Sequence, residues 1–296
     1  MRDLFLTQSG YAKNTNAQQN VAIAIRNNGF SFIIRTQPNA IAALGYVSIS
    51  TINVAEYEQA LREFLRHNLL QQSFDTCTIV YCNQAVSIIP KEFYSAETVR
   101  EIFTLTQPCS ENESVESYQL KNNDTIILYA LPQNIVAICN KELKTTCKFY
   151  PQAAPFIEKS LVRHAAIDAF YGEMLNQKHG NNAGEKMLYI SVESYHFDIL
   201  VTNGGKLDLY NNFSFRTVND FVYSVLNVCQ QLQLNPQTTN IVLSGKISEN
   251  SNYCQALQTF APHAHVENPA HSNCDFPFNP IYYSVFSNLI STELCE

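Results

Sequence analysis

The residues best suited to chemistry in this 296-residue chain are few and irregularly spaced. His263, His265, His271 and Cys274, with Asp275 adjacent, form the densest group of possible metal ligands. Strand alternation would put His263 and His265 on one side, as neighbouring zinc ligands require. Pro262 and Pro269 mark the region as loop and strand edge, and the spacing matches no zinc signature, so we expect polar surface and no metal. His196 and Asp198 lie two apart on an expected strand and share a face, which reads as a hairpin-surface pair. His164 and Asp168 lie four apart on an expected helix, where an ordinary side-chain contact accounts for them. Acid–base catalysis needs a perturbed pKa in a cleft, and neither is visible in these pairs. Ser244-Gly245-Lys246 lacks the upstream glycine and the following Ser or Thr of a P-loop. No G-x-S-x-G, H-E-x-x-H or G-x-G-x-x-G occurs, so no catalytic residue is assigned.

Composition narrows the classes further. A net charge of −7 argues against a general nucleic-acid binder, which needs basic surface to neutralise phosphates. Apolar residues make up 46%, enough for a sizeable core. No stretch approaches the ~18 uncharged apolar residues of a membrane span, and none near the N-terminus resembles a signal peptide. The nine cysteines are odd in number and lack a C-x-x-C pair, and most sit in apolar segments. That usage fits reduced thiols, so a cytoplasmic location is expected. Glycine is scarce: nine residues, less than half of the usual ~7%.

The elements that must position any site follow from hydrophobic periodicity. Strands are expected at 21–26, 30–35 and 43–50, the first two joined across Asn27-Asn28-Gly29, whose residues tolerate positive φ. A helix follows with Asn53 as N-cap and Glu56 as capping-box partner, its apolar positions Val54, Tyr57, Leu61, Phe64 and Leu65 three or four apart. Next come a buried strand at 76–81, a helix near 95–105, an acidic loop at 110–116, strands at 125–130 and 135–139, and a helix at 156–175. After a linker-like stretch at 177–184 the pattern restarts: strands at 187–192, 197–201 and 207–215, a helix at 219–232 and a buried strand at 240–243. A short helix near 253–260, a strand at 264–267 and a helix at 281–291 complete it.

The halves superpose in sequence. Thr51-Ile52-Asn53 and Tyr57 match Thr217-Val218-Asn219 and Tyr223 at an offset of 166, and the same offset lays 22–25 on 188–191 and 32–34 on 198–200. A repeat this large predicts two similar α/β domains facing a cleft, here divided as 1–180 and 181–296.

This tandem βββαβα arrangement resembles the actin-like ATPase superfamily, with its ribonuclease H-like fold, over nearly the whole chain. More narrowly, it is similar to uncharacterised bacterial proteins of actin-like ATPase fold, distantly like pilus-assembly and cell-division actin homologues. In that superfamily a glycine-rich turn after an Asp joins the first two strands of each half. Its backbone N–H groups take phosphate, and the Asp orients Mg²⁺ or its waters. The resemblance puts Ser191 where the second-half Asp belongs, and Glu193, Ser194 and Tyr195 where three small residues belong. In the first half it puts Ile25 at the acidic position, with Arg26 beside it, and only Gly29 survives in the turn. The adenosine-contacting strand normally ends in two glycines; here it ends in Gly245 and Lys246. The resemblance thus implies cleft positions Gly29, Ser191, Glu193, Gly245 and Lys246 and a degenerate nucleotide site.

A carboxylate about 4 Å from a phosphate repels it by several kcal/mol at intermediate dielectric. Bound ATP and Mg²⁺ are therefore not favoured, and no other cofactor is expected. The preferred reading is a non-catalytic scaffold that binds a protein partner or itself, with no nucleic acid and no membrane span. In that case side chains such as Tyr195 should fill the cleft. The alternative is a nucleotide-binding ATPase or small-molecule kinase of the same superfamily, working through replacement residues such as Lys246 and Glu193.

Overall fold

The computed structural model describes residues 3–9, 11, 19–37, 40–50, 53–121, 123–175, 186–267, 275–279 and 282–295. The chain forms two compact units, 1–155 with 273–278 and 289–296, and 156–272 with 279–288. Residues 156–175 thus group with the second unit, and residues 289–295 with the first.

In unit 1, β1 (Leu4–Thr7), β2 (Asn20–Arg26), β3 (Gly29–Gln37), β4 (Ala40–Ser48), β5 (Thr76–Tyr81) and β9 (Cys147–Pro151) form a six-stranded sheet of order β1-β4-β3-β2-β5-β9. Helix α1 (Val54–Leu65) packs on one face through Leu61, Phe64 and Leu65. Asn53 caps it by accepting from the Glu56 N–H at 2.9 Å. An insertion after β5 holds a second sheet, with β8 (Thr125–Pro132) between β6 (Val86–Pro90) and β7 (Glu113–Gln119), and α2 (Val99–Thr104) against it.

Two expectations fail here. The acidic loop at 110–116 runs into strand β7, paired with β8 from Glu113 to Gln119. The segment at 135–139 is not a strand but part of helix α3 (Gln133–Glu142). Its apolar run is too short to separate the two periods, and Ile135, Ile138 and Cys139 meet the core at helical spacing.

Unit 2 repeats the first sheet. β10 (Lys186–Val192), β11 (His196–Asn203), β12 (Lys206–Ser214), β13 (Ile241–Gly245) and β14 (Ala264–Val266) take the order β12-β11-β10-β13-β14. β10 starts 166 residues after β2, and β12 starts 166 residues after β4. The repeat read from a few identities is therefore a repeat of topology. Of its helices, α4 (Ala153–Leu175) begins at the junction, α5 (Val218–Gln231) and α6 (Asn252–Gln258) follow, and α7 (Tyr283–Ile290) ends the series. Thr217 and Asp220 make a full capping box on α5, and the Arg216 and Thr217 N–H groups hold the Asp220 carboxyl below its ordinary pKa. Phe197, Phe215, Phe221 and Tyr253 pack edge-on in the core at 4.9–5.9 Å between ring centres.

Candidate functional site

In unit 2 the turn between β10 and β11 meets the end of β13. Parallel pairing sets Ser191 beside Ser244 and Val192 beside Gly245, which brings Glu193 and Lys246 together from 53 positions apart. The Lys246 Nζ lies 3.1 Å from Glu193 Oε2 and 3.2 Å from Ser194 Oγ. The Glu193 side chain is only 6% exposed, so the ion pair is a packed part of the turn. Backbone donors are consumed as well. Glu193 N–H donates to His196 O at 2.9 Å, Lys246 N–H to Val192 O at 2.7 Å, and Ile247 N–H to Gly245 O at 2.9 Å.

Gly245 has φ +87°, and a Cβ there would lie 2.2 Å from Val192 O. Glycine is thus required by the approach of two strands of the same sheet. Gly29 is held in the same way: a Cβ would lie 2.4 Å from Val47 O, on β4. Beside it, Ile25 is wholly buried in the core, and Arg26 Nη1 turns inward to donate to Ser31 Oγ at 2.8 Å. Tyr195 does not fill any recess; it is 72% exposed. The expectation for it fails because the inward place in the turn is taken by Glu193.

Ser191 is buried and accepts from Asn288 Nδ2 at 3.2 Å, while Asn288 Oδ1 has no hydrogen-bond partner among the described residues. Directly across the sheet from Ser191 stands Asp198, which is 3% exposed. Asp198 is therefore a buried carboxylate, not half of a hairpin-surface pair. The alternation of β11 sends Phe197, Ile199 and Val201 to the core and Asp198 to the opposite, covered face.

The chain belongs to the DUF3822 family of proteins of unknown function. The family's model matches residues 8–264. A solved protein of actin-like ATPase fold and unknown function from Bacteroides thetaiotaomicron is 22% identical, over 93% of this chain and 96% of that one, with a TM-score of 0.72. A chain of the PilM-PilN type IV pilus biogenesis complex is 14% identical, over 94% and 98%, with a TM-score of 0.59. No curated protein matches. At these identities the likeness establishes the fold: this DUF3822 chain has the actin-like ATPase fold.

Other charged groups of this DUF3822 protein escaped the sequence reading. Glu267 is buried after β14 and held by two cations of α4, Lys159 at 2.8 Å and Arg163 at 3.4 Å. Ser160 and Ser244 pack against this triad, which leaves no room for even a water molecule. Only the i,i+4 spacing of the two cations hinted at a shared target. Unit 1 has an open recess of about 320 Å³ lined by Ser114, Glu116, Tyr129, Gln133 and Phe149 among others, with no Lys or Arg among its described lining residues. Among the described residues no group of three His, Cys, Asp or Glu could hold a metal, and His263 and His265 are exposed. His164 lies within hydrogen-bonding distance of Thr202 across the fold. His271, Cys274 and the Asp168 side chain lie outside the described residues. No described helix is long and apolar enough to cross a membrane.

Replacing Lys246 with Met removes the cation facing a nearly buried carboxylate. Because Lys246 is 19% exposed, we expect a loss of about 2 kcal/mol, below the ~3–5 of a fully buried pair. Urea denaturation reads the change, and adding Glu193→Gln should restore at least half of it. A Lys246→Met protein as stable as wild type would mean that the pair is solvated.

Proposed function

We propose that this protein is a non-catalytic member of the actin-like fold, a protein-interaction scaffold whose phosphate-binding turn is closed by its own side chains. The observation that carries the reading is the Glu193–Lys246 pair at 3.1 Å, packed where a phosphate turn would present bare backbone. The residues do not suit Mg-ATP. Ser191 and Ile25 offer no carboxylate for Mg²⁺, Glu193 sets an anion against the phosphates, and three backbone N–H groups around the turn already have acceptors. The PilM-PilN complex, a chain of which is similar in fold, favours a protein as the ligand.

Thermal shift and calorimetry with Mg-ATP and Mg-ADP at millimolar concentration test the closed site. The expected result is no change in Tm and no heat of binding. Stabilisation of about 2.7 kcal/mol, the size given by ligand at ~100 times Kd, would overturn the reading in favour of a nucleotide-dependent enzyme or switch. Affinity purification from the native host tests the scaffold. It should recover a stoichiometric protein partner or an oligomer, and monomer with co-purified nucleotide would sink the idea.

A further inference from the structure

Three of the cysteines come together in unit 1. Cys77 on β5 and Cys139 on α3 lie in the same core, and Cys147 on β9 packs against it, half-exposed at the sheet's edge strand. Cys77 and Cys147 are direct partners in the parallel register, and their Sγ atoms are 3.6 Å apart. Neighbouring strands lie ~4.8 Å apart, within the roughly 4.4–6.8 Å between Cα atoms that a disulfide spans. The pair therefore needs only a shift of the sulfurs, with no rearrangement of the backbone.

We propose that Cys77 and Cys147 form an oxidisable dithiol that hydrogen peroxide converts into a disulfide tying β5 to β9. Access and chemistry assign the order of events. Cys147 is the less buried of the two, and its hydrogen bond with Cys77 holds it below the ordinary thiol pKa, while the same bond and burial push Cys77 up. The Cys147 thiolate attacks one peroxide oxygen and breaks the O–O bond; sulfur becomes a sulfenic acid, and the departing hydroxide takes a proton to become water. The Cys77 sulfur then attacks the Cys147 sulfur and expels hydroxide, which leaves with the Cys77 proton as a second water. Two thiols give up two electrons and two protons, and one peroxide is reduced to two waters. The bond closes the stretch of chain that carries α2, α3 and the sheet β6-β8-β7, so oxidation pins both ends of that insertion.

The test treats the folded, full-length protein with hydrogen peroxide, blocks remaining thiols, and maps cysteine-containing peptides by mass spectrometry without reduction. The expected product has lost two hydrogens, carries one link between the peptides of Cys77 and Cys147, and reverts with dithiothreitol. In Cys77→Ser the sulfenic acid at Cys147 loses the thiol paired with it, so its dimedone adduct should rise at least about tenfold over wild type. A link from Cys147 to Cys139, progression of Cys147 to sulfinic acid with Cys77 still a thiol, or no reaction while folded would each overturn the proposal. Cys109, half-exposed on the insertion, gives the rate of an ordinary thiol in the same sample. The wild-type map stands even if the variant fails to fold.

Discussion

Gly245→Ala should destabilise the protein by about 4 kcal/mol or more with no ligand present. Two effects combine. The residue holds φ +87°, which costs an L side chain about 1–2 kcal/mol. The new methyl would also lie 2.2 Å from Val192 O and 2.8 Å from Val192 N, so β13 and β10 must separate where they pair beside the turn. Neighbouring backbone cannot yield as a flexible side chain would, which places the change in the severe class. Gly205→Ala supplies the control. Gly205 has φ +71°, but its Cβ would meet only Ala165 Cβ at 4.0 Å, so the backbone term alone, about 1 kcal/mol, applies. Chemical denaturation of both variants reads the difference. Equal losses would refute the close approach of strands and return Gly245 to the role of a ligand-facing glycine.

Arg35→Met should cost about 3 kcal/mol, lowering Tm by roughly 6–12 °C. Arg35 stands on β3 with its side chain 6% exposed. Its guanidinium donates to the carbonyls of Leu289, at 3.2 Å, and Ile290, reaches Thr292 Oγ1 at 3.5 Å, and lies 4.0 Å from the Glu293 carboxylate. Leu289 and Ile290 end α7, where carbonyls have no partner within the helix and the dipole favours a cation. Methionine keeps most of the volume, so the loss reports the charged hydrogen bonds rather than a cavity. Limited proteolysis gives a second readout, with cleavage near 289–295 expected several-fold faster in the variant. A variant with unchanged Tm and cleavage would mean that the C-terminal segment is held by its apolar contacts alone.

Much of the fold was legible in sequence because its signals are local. The strand at 76–81 is found at those bounds, and the helix capped by Asn53 begins one residue later. The offset of 166, argued from a handful of matches, recurs in the starts of β10 and β12. Where two periods fit the same short run, as at 135–139, sequence chose wrongly, since only packing against the sheet separates them. β6 and β9 passed unread. Each has five residues, and β9, Cys-Lys-Phe-Tyr-Pro, ends in a residue that discourages strands.

The sequence placed Ser191, Glu193 and Lys246 on a strand, in a turn and at a strand end, but did not show which of them would meet. Glu193 and Lys246 meet only because β10 and β13 lie side by side, and charges in a sequence carry no label saying which will face each other. The same limit hid Arg35 and the three-way contact of Glu267, each held by elements far away in the chain.

By itself, then, the sequence determined the periods of burial, the helix caps, the duplication and the absence of a recognisable catalytic motif. All of these depend on neighbours within about a dozen residues or on a fixed offset. Tertiary structure decided why Gly29 and Gly245 must be glycine, which charges neutralise one another, and which thiols touch. A Cβ at Gly245 collides with a strand more than fifty positions earlier, and Cys77 meets Cys147 across 70. Contacts of that range are set by the order of strands in a sheet, and no local pattern of residue types encodes that order.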